Sequence, residues 1–264
     1  MIHLRGKTML TNTFCHLAGI GSGAEERLWN AGVHTWEMFN KAAQLPLSRK
    51  KVALALPLLK ESAAHLVNRN PVFFSQRLPA NQLWRLFSHF RQTIAYIDIE
   101  TTGLENWTNE ITTIALYDGT DVHTYVNGRN LQDFVRDIQR FKIIVSYNGR
   151  CFDVPFIEHY FHIKLEQTHI DLRFLLKNLG FSGGLKECER QMGIERGDLQ
   201  DIDGYRAVML WYDYKRHKNL KSLETLIAYN SLDAKNLETL LVKAYNVKLQ
   251  STPFYETNRL SCKI

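Results

Sequence analysis

Cysteine is scarce, with four in 264 residues at positions 15, 151, 188 and 262, and no two form a C-x-x-C. That scatter argues against a disulfide framework or a zinc ribbon, and leads us to expect free thiols in a reducing cytoplasm. There is no uncharged apolar run near the ~18 residues of a membrane span, so no membrane partner is expected. Met1 to Leu10 carries Arg5 and Lys7 with no apolar core behind them, which does not read as a signal peptide. Internal repeats and low-complexity tracts are also lacking, which excludes solenoids and biased linkers.

The chain does have enough apolar residues, 45%, for a sizeable core, and an uneven charge. Residues 1–90 hold 11 Lys and Arg against 4 Asp and Glu, while 91–264 hold 22 against 23. A basic third joined to a neutral, carboxylate-bearing body fits one part that grips a polyanion and another that works on it. A merely soluble basic domain fits the same charges.

The pattern divides the chain into a basic helical region over 1–80, an α/β domain over 81–250 and a loosely held tail over 251–264. In the first region, Leu17-Ala-Gly19-Ile-Gly21 leads into a capping box, Ser22 to Glu25, and a helix over 24–31. This looks like a helix-hairpin-helix, in which Gly19 and Gly21 would offer backbone N–H groups to a phosphate; a plain helical hairpin needs the same glycines. A helix over 48–67 carries Arg49, Lys50 and Lys51 in its first turn, the wrong end for the helix dipole, which hints at an external anion. Pro57 should kink or split it. Residues 68–80 read as a linker and 81–90 as an amphipathic helix. Beyond 91, strands are expected at 94–99, 111–117, 122–126, 143–146 and 168–172, the second and third joined by Asp118-Gly119. Asn130 should cap a helix reaching Phe141, and further helices are expected at 156–161, 172–179, 185–192, 205–215, 220–229 and 233–248.

Three stretches carry chemistry. In Tyr96-Ile-Asp98-Ile-Glu100, the two acids stand on one face of an otherwise apolar strand. Like charges there repel unless a cation sits between them, and all-oxygen ligands suit Mg²⁺ or Mn²⁺; a solvated acidic edge is the alternative. Asp153 follows Ser146-Tyr-Asn148-Gly-Arg-Cys-Phe152, where a strand gives way to a helix, the position at which open α/β sheets place ligands. Tyr229 and Asp233 lie four apart on a helix and share its face.

D-x-E, N-x-x-x-F-D and Y-x-x-x-D in this order resemble the three exonuclease motifs of the DEDD superfamily, tyrosine subclass, since Ala228 stands where the histidine subclass has its base. The chain is similar to the YprB-like group of exonucleases in Asp-Ile-Glu-Thr-Thr-Gly-Leu, Leu-Tyr-Asp-Gly, residues 169–173, Gly-Gly-Leu-Lys (183–186) and Asp203-Gly204. The resemblance implies a ribonuclease-H-like α/β fold: a mixed sheet with its second strand antiparallel, flanked by helices, beside a small helix-hairpin-helix-like region. It implies two divalent metals, Mg²⁺ or Mn²⁺, about 3.5–4 Å apart. Asp98, Glu100 and Asp233 would hold the first, Asp98 and Asp153 the second, with Tyr229 orienting the attacking water. Thr101, Thr102, Gly103, Leu104, Asn148, Phe152 and Lys186 would touch the strand.

The expected activity is 3′–5′ exonuclease hydrolysis of single-stranded or frayed DNA ends. The alternatives are an exoribonuclease, a structure-dependent endonuclease and a catalytically silent nucleic-acid-binding protein. His159, His162 and His169 fall on separate elements without a cysteine pair, and are expected to be surface or supporting residues rather than zinc ligands.

Overall fold

The computed structural model describes residues 8–261 and separates into two compact units. One is the chain up to Arg91 together with Tyr245–Ser261; the other is Gln92–Ala244. These boundaries differ from the division at 80 and 250 read from the pattern. The stretch read as a loose tail includes Phe254, which is buried with its ring 5.3 Å from that of Trp29.

The first unit contains helices α1 (Ser22–Asn30), α2 (Trp36–Lys41), α3 (Arg49–Val67), α4 (Pro71–Ser75) and α5 (Phe87–Phe90). Its core is tied by a buried ion pair: Glu25 accepts from Arg85 at 2.8 Å and from the backbone N–H of Phe14 and Cys15 at 2.5 and 3.0 Å. Glu25 is therefore not a capping-box partner, and α1 starts after Gly21 with no side-chain cap. A guanidinium and two N–H groups satisfy a buried carboxylate better than the single N–H of a cap. Among the described residues, the helical element before the glycine-rich turn is a short 3-10 helix, Met9–Asn12. Helix α3 runs unbroken through Pro57, the supposed linker holds α4 capped by Asn70, and the helix expected over 81–90 is a 3-10 helix, Ala80–Leu86, running into α5.

The second unit is built on five strands, β1 (Ile94–Thr101), β2 (Ile111–Tyr117), β3 (Val122–Val126), β4 (Ile143–Ser146) and β5 (Thr168–Asp171), in the order β3-β2-β1-β4-β5. β1–β2 and β2–β3 are antiparallel; β1–β4 and β4–β5 are parallel. Alternation sorts β1 cleanly. Ala95, Ile97 and Ile99 enter a core with Ile114, Leu116, Phe134, Ile144 and Phe156, leaving Tyr96, Asp98 and Glu100 to the opposite face.

Around the sheet lie α6 (Asp133–Asp137), α7 (Asp153–Phe161), α8 (Leu172–Asn178), α9 (Leu185–Gln191), α10 (Gly204–His217) and α11 (Leu220–Leu249). Asn130 does not cap α6. Its side chain accepts from Val126 N at 2.8 Å and donates to the Thr124 carbonyl, closing the end of β3. The two helices expected over 220–248 are one 30-residue helix, so Tyr229 and Asp233 sit in its interior, where side-chain direction is well defined. Among the described residues, no helix is long and apolar enough to cross a membrane.

Candidate active site

β1 pairs with β4 only as far as Tyr96–Val145, while its pairing with β2 continues to Thr101. The last turn of pleat, carrying Asp98 and Glu100, is therefore open on one side. A register shift between Glu100 and Thr101 bends the strand just beyond the acids. Opposite them, α11 presents Tyr229, Asn230 and Asp233. Carboxylate oxygens of Asp98, Glu100 and Asp233 all lie within 4.8 Å of one another.

Asp153 opens α7, as expected, and flanks the group: its charge acts on both Asp98 and Glu100, and its carboxylate accepts from the backbone N–H of Ile99 and its own. The turn that delivers it is tightly made. Asn148 has φ 63°, and a Cβ on Gly149 would sit 2.0 Å from Ser146 Oγ and 3.3 Å from Asp153 Oδ2, so only glycine fits there. Asp171 ties this turn to β5, accepting from the backbone N–H of Asn148, Arg150 and Arg173 at 2.9, 3.0 and 3.0 Å.

Three residues that the motif pattern left without a role complete the site. Asn230 Nδ2 donates to the Asp98 carbonyl at 3.1 Å and to Asp98 Oδ2 at 2.7 Å, which locks that side chain to α11. Arg196, in the loop after α9, donates to Asp233 and, at 2.5 Å, to Glu189. Glu189 in turn accepts from Asn236 at 2.8 Å. Seven residues would be two turns of a continuous helix, but α9 ends at Gln191, so it is the loop folding back that brings Arg196 to Glu189.

The contacts expected with a strand are distributed unevenly. Leu104 is 84% exposed beside the site. Thr101 donates to the Gly103 carbonyl at 2.6 Å, and Thr102 bonds Asn109 and Glu110, so both hydroxyls shape the loop after β1. Asn148 Oδ1 is taken by Arg173 at 2.6 Å, and the Phe152 ring packs 5.7 Å from that of Phe156. Lys186 Nζ lies 5.3 Å from the Tyr229 ring centre and donates to the Gln200 carbonyl at 3.2 Å. His169 bonds Ser146 Oγ at 2.7 Å, a supporting contact beneath the turn that carries Gly149.

Burial, followed by mutual repulsion, drives the acids' pKa values upward. Asp98 and Glu100 are held well above the usual carboxylate range, by burial first and then by Asp233 and the other acids. Burial raises Asp153 to about 7, and Asp233 to about 6 against the opposing pull of Arg196. Such a cluster of hard oxygen donors, short of positive charge, fits a divalent cation of the Mg²⁺ or Mn²⁺ type.

A pH dependence follows. An acid whose pKa is higher in the folded chain contributes stability that is full below about 4 and lost as pH rises through the folded value. Buried His16 and His169, pushed down to about 3 and about 4, act in the opposite sense. Their effect cancels in the difference between melting curves recorded with Mg²⁺ and with EDTA. That difference should widen from pH 4 to pH 7; a constant gap would contradict the assignment of these acids to metal binding.

Residues 95–245 match the RNase_H_2 family, and the chain belongs to the RNase_H superfamily. It is 32% identical over 118 residues to DNA polymerase 1 of Aeropyrum pernix, a match that covers 44% of this chain and 11% of the polymerase. Among solved structures, it is similar to the family B DNA polymerase of Pyrobaculum calidifontis, with TM-score 0.47, 16% identity, and coverage of 64% of this chain and 27% of that one. Brucella melitensis NrnC with bound Mg²⁺ gives TM-score 0.33 and 15% identity over 67% of this chain and 94% of the other.

Proposed function

We propose that this protein is a metal-dependent 3′–5′ exonuclease of the DEDD tyrosine subclass, of the YprB-like group, acting on single-stranded or frayed DNA ends. The observation that carries the reading is the convergence of Asp98, Glu100 and Asp233 within 4.8 Å beside Tyr229. Kinship with a DNA polymerase over 118 residues supports DNA as the substrate. Asp98, Glu100 and Asp233 would hold one divalent ion, and Asp98 with Asp153 a second. When bound, such ions neutralise the phosphodiester and lower the pKa of water.

The chain's own residues supply the rest. Asn230 fixes the Asp98 carboxylate, and the Ile99 N–H steadies Asp153. Burial, then the Asp233, Glu100 and Asp98 charges, push the Tyr229 phenol above its ordinary pKa. Tyr229, beside these carboxylates, would orient the attacking water through its hydroxyl. Lys186, poised over the Tyr229 ring, provides a cation for the phosphate.

End-labelled strands test this reading. With Mg²⁺ or Mn²⁺, 5′-labelled DNA should shorten one nucleotide at a time, and EDTA should stop it. Internal cuts, 5′ trimming or degradation of RNA alone would overturn the polarity or substrate.

The first unit is proposed to grip the strand. A Cβ on Gly19 would lie 3.8 Å from the Lys51 side chain, so the glycine turn and the α3 cations share one surface. That turn lines a groove of about 520 Å³ with Leu58 and Arg77. Reversing Arg49, Lys50 and Lys51 to Glu should raise KM strongly, leave kcat nearly unchanged, and flatten the salt dependence of binding by about 0.7 per lost phosphate contact. Oligonucleotide binding in Ca²⁺ at several salt concentrations checks this. An unchanged slope in folded variants would leave the surface only a structural role.

A further inference from the structure

Arg196 is 3% exposed at its side chain and Glu189 is 0% exposed, so this ion pair is sealed inside the unit. Asn236 holds one Glu189 oxygen, and the guanidinium Nη1 takes the other. The opposite amine, Nη2, reaches Asp233 Oδ1, and the guanidinium carbon lies 5.3 Å from the Tyr229 ring centre. Arg196 is therefore aimed from behind. Glu189 comes from α9, while Asn236, Asp233 and Tyr229 all come from α11, so the fork spans two elements and touches both members of the Tyr229–Asp233 pair.

A carboxylate with one oxygen committed to a fixed arginine has a single oxygen free for other work. Mg²⁺ accepts such one-oxygen ligands in a strict octahedron, whereas Ca²⁺ favours larger shells in which carboxylates bind through both oxygens. We infer that Arg196, clamped by Glu189 and Asn236, is a positioning residue that holds Asp233 as a one-oxygen ligand and so biases the site toward Mg²⁺ over Ca²⁺. This rests on the metal-site reading above. Outer partners of ligands act in this way generally, by orienting what they touch.

The alternative is an ion pair that only staples the loop after α9 to α11. Calorimetric titration of Mg²⁺ alone and Ca²⁺ alone into the full chain separates the two. The Glu189→Gln/Arg196→Met variant removes one charge of each sign and keeps an acceptor for Asn236, so no charge is orphaned at position 189 and only Asp233 loses its arginine, the contact under test. Arg196→Lys retains the charge but lacks the rigid fork whose two amines reach Glu189 and Asp233 separately. In both variants Mg²⁺ affinity should fall roughly 10- to 100-fold, with Ca²⁺ affinity little changed or higher. The preference for Mg²⁺ over Ca²⁺ should thus shrink by about tenfold or more.

If the wild-type protein binds neither ion, the metal-site reading itself fails. If it binds Mg²⁺ but folded variants keep the same Mg²⁺ to Ca²⁺ ratio and only melt earlier, the stapling role is correct and the inference is overturned. A wild-type ratio in Arg196→Lys alone would overturn it too, since charge without the fork would then suffice.

Discussion

Asp98→Ala should lower hydrolysis at saturating Mn²⁺ by at least about a thousandfold, the scale of losing several kcal/mol of charge stabilisation at a phosphoryl centre. The metal-free protein should meanwhile melt no lower than wild type. Asp98 has its pKa raised by burial and by three neighbouring acids, so removing it relieves repulsion that only a cation otherwise offsets. Its loss costs Asn230 one of two acceptors, the Asp98 carbonyl remaining. Asp233→Ala should be equally inactive but less stable, because it strips Arg196 of a buried partner. Turnover and melting temperature in EDTA, measured side by side, check both. Activity within tenfold of wild type in either variant would place the chemistry elsewhere.

Tyr229→Phe is expected to cut kcat by roughly 10- to 1000-fold, as when a group that positions a reacting water is lost. Metal affinity should barely move, since the ions are proposed to be held by the carboxylates and the phenol only orients water. The ring should stay in place: it packs with Val126, Ala207, Trp211 and Leu226, and the substitution keeps that surface. Single-turnover rates together with a calorimetric Mn²⁺ titration read the two quantities separately. Unchanged turnover would contradict an orienting role, and lost metal binding would make Tyr229 a ligand instead.

The sheet was legible because apolar runs of strand length end at clear turn residues, and strands 111–117, 122–126 and 143–146 fall where the pattern places them. The acids at 98 and 100 were legible as a pair because a strand's period of two puts them on one face. Elements governed by tertiary partners were less so. Glu25 has the spacing of a capping box, but Arg85, sixty residues away, claims it. Pro57 reads as a helix breaker, yet α3 contains it without a break. Arg196 and Glu189 carry no local signal, because their significance lies in a loop folding back onto α11. Asn230 was in view between Tyr229 and Asp233, but only the approach of α11 to β1 shows what its amide holds.

Everything proposed above depends on Asp98, Glu100, Asp153 and Asp233 forming a divalent-metal site. That site is tested most directly by diffraction from crystals soaked in Mn²⁺, recorded at the manganese absorption edge. An anomalous peak should appear bounded by Asp98, Glu100 and Asp233, with a second beside Asp98 and Asp153 when a nucleotide is present. No peak within coordination distance of Asp98 at millimolar Mn²⁺ would contradict it.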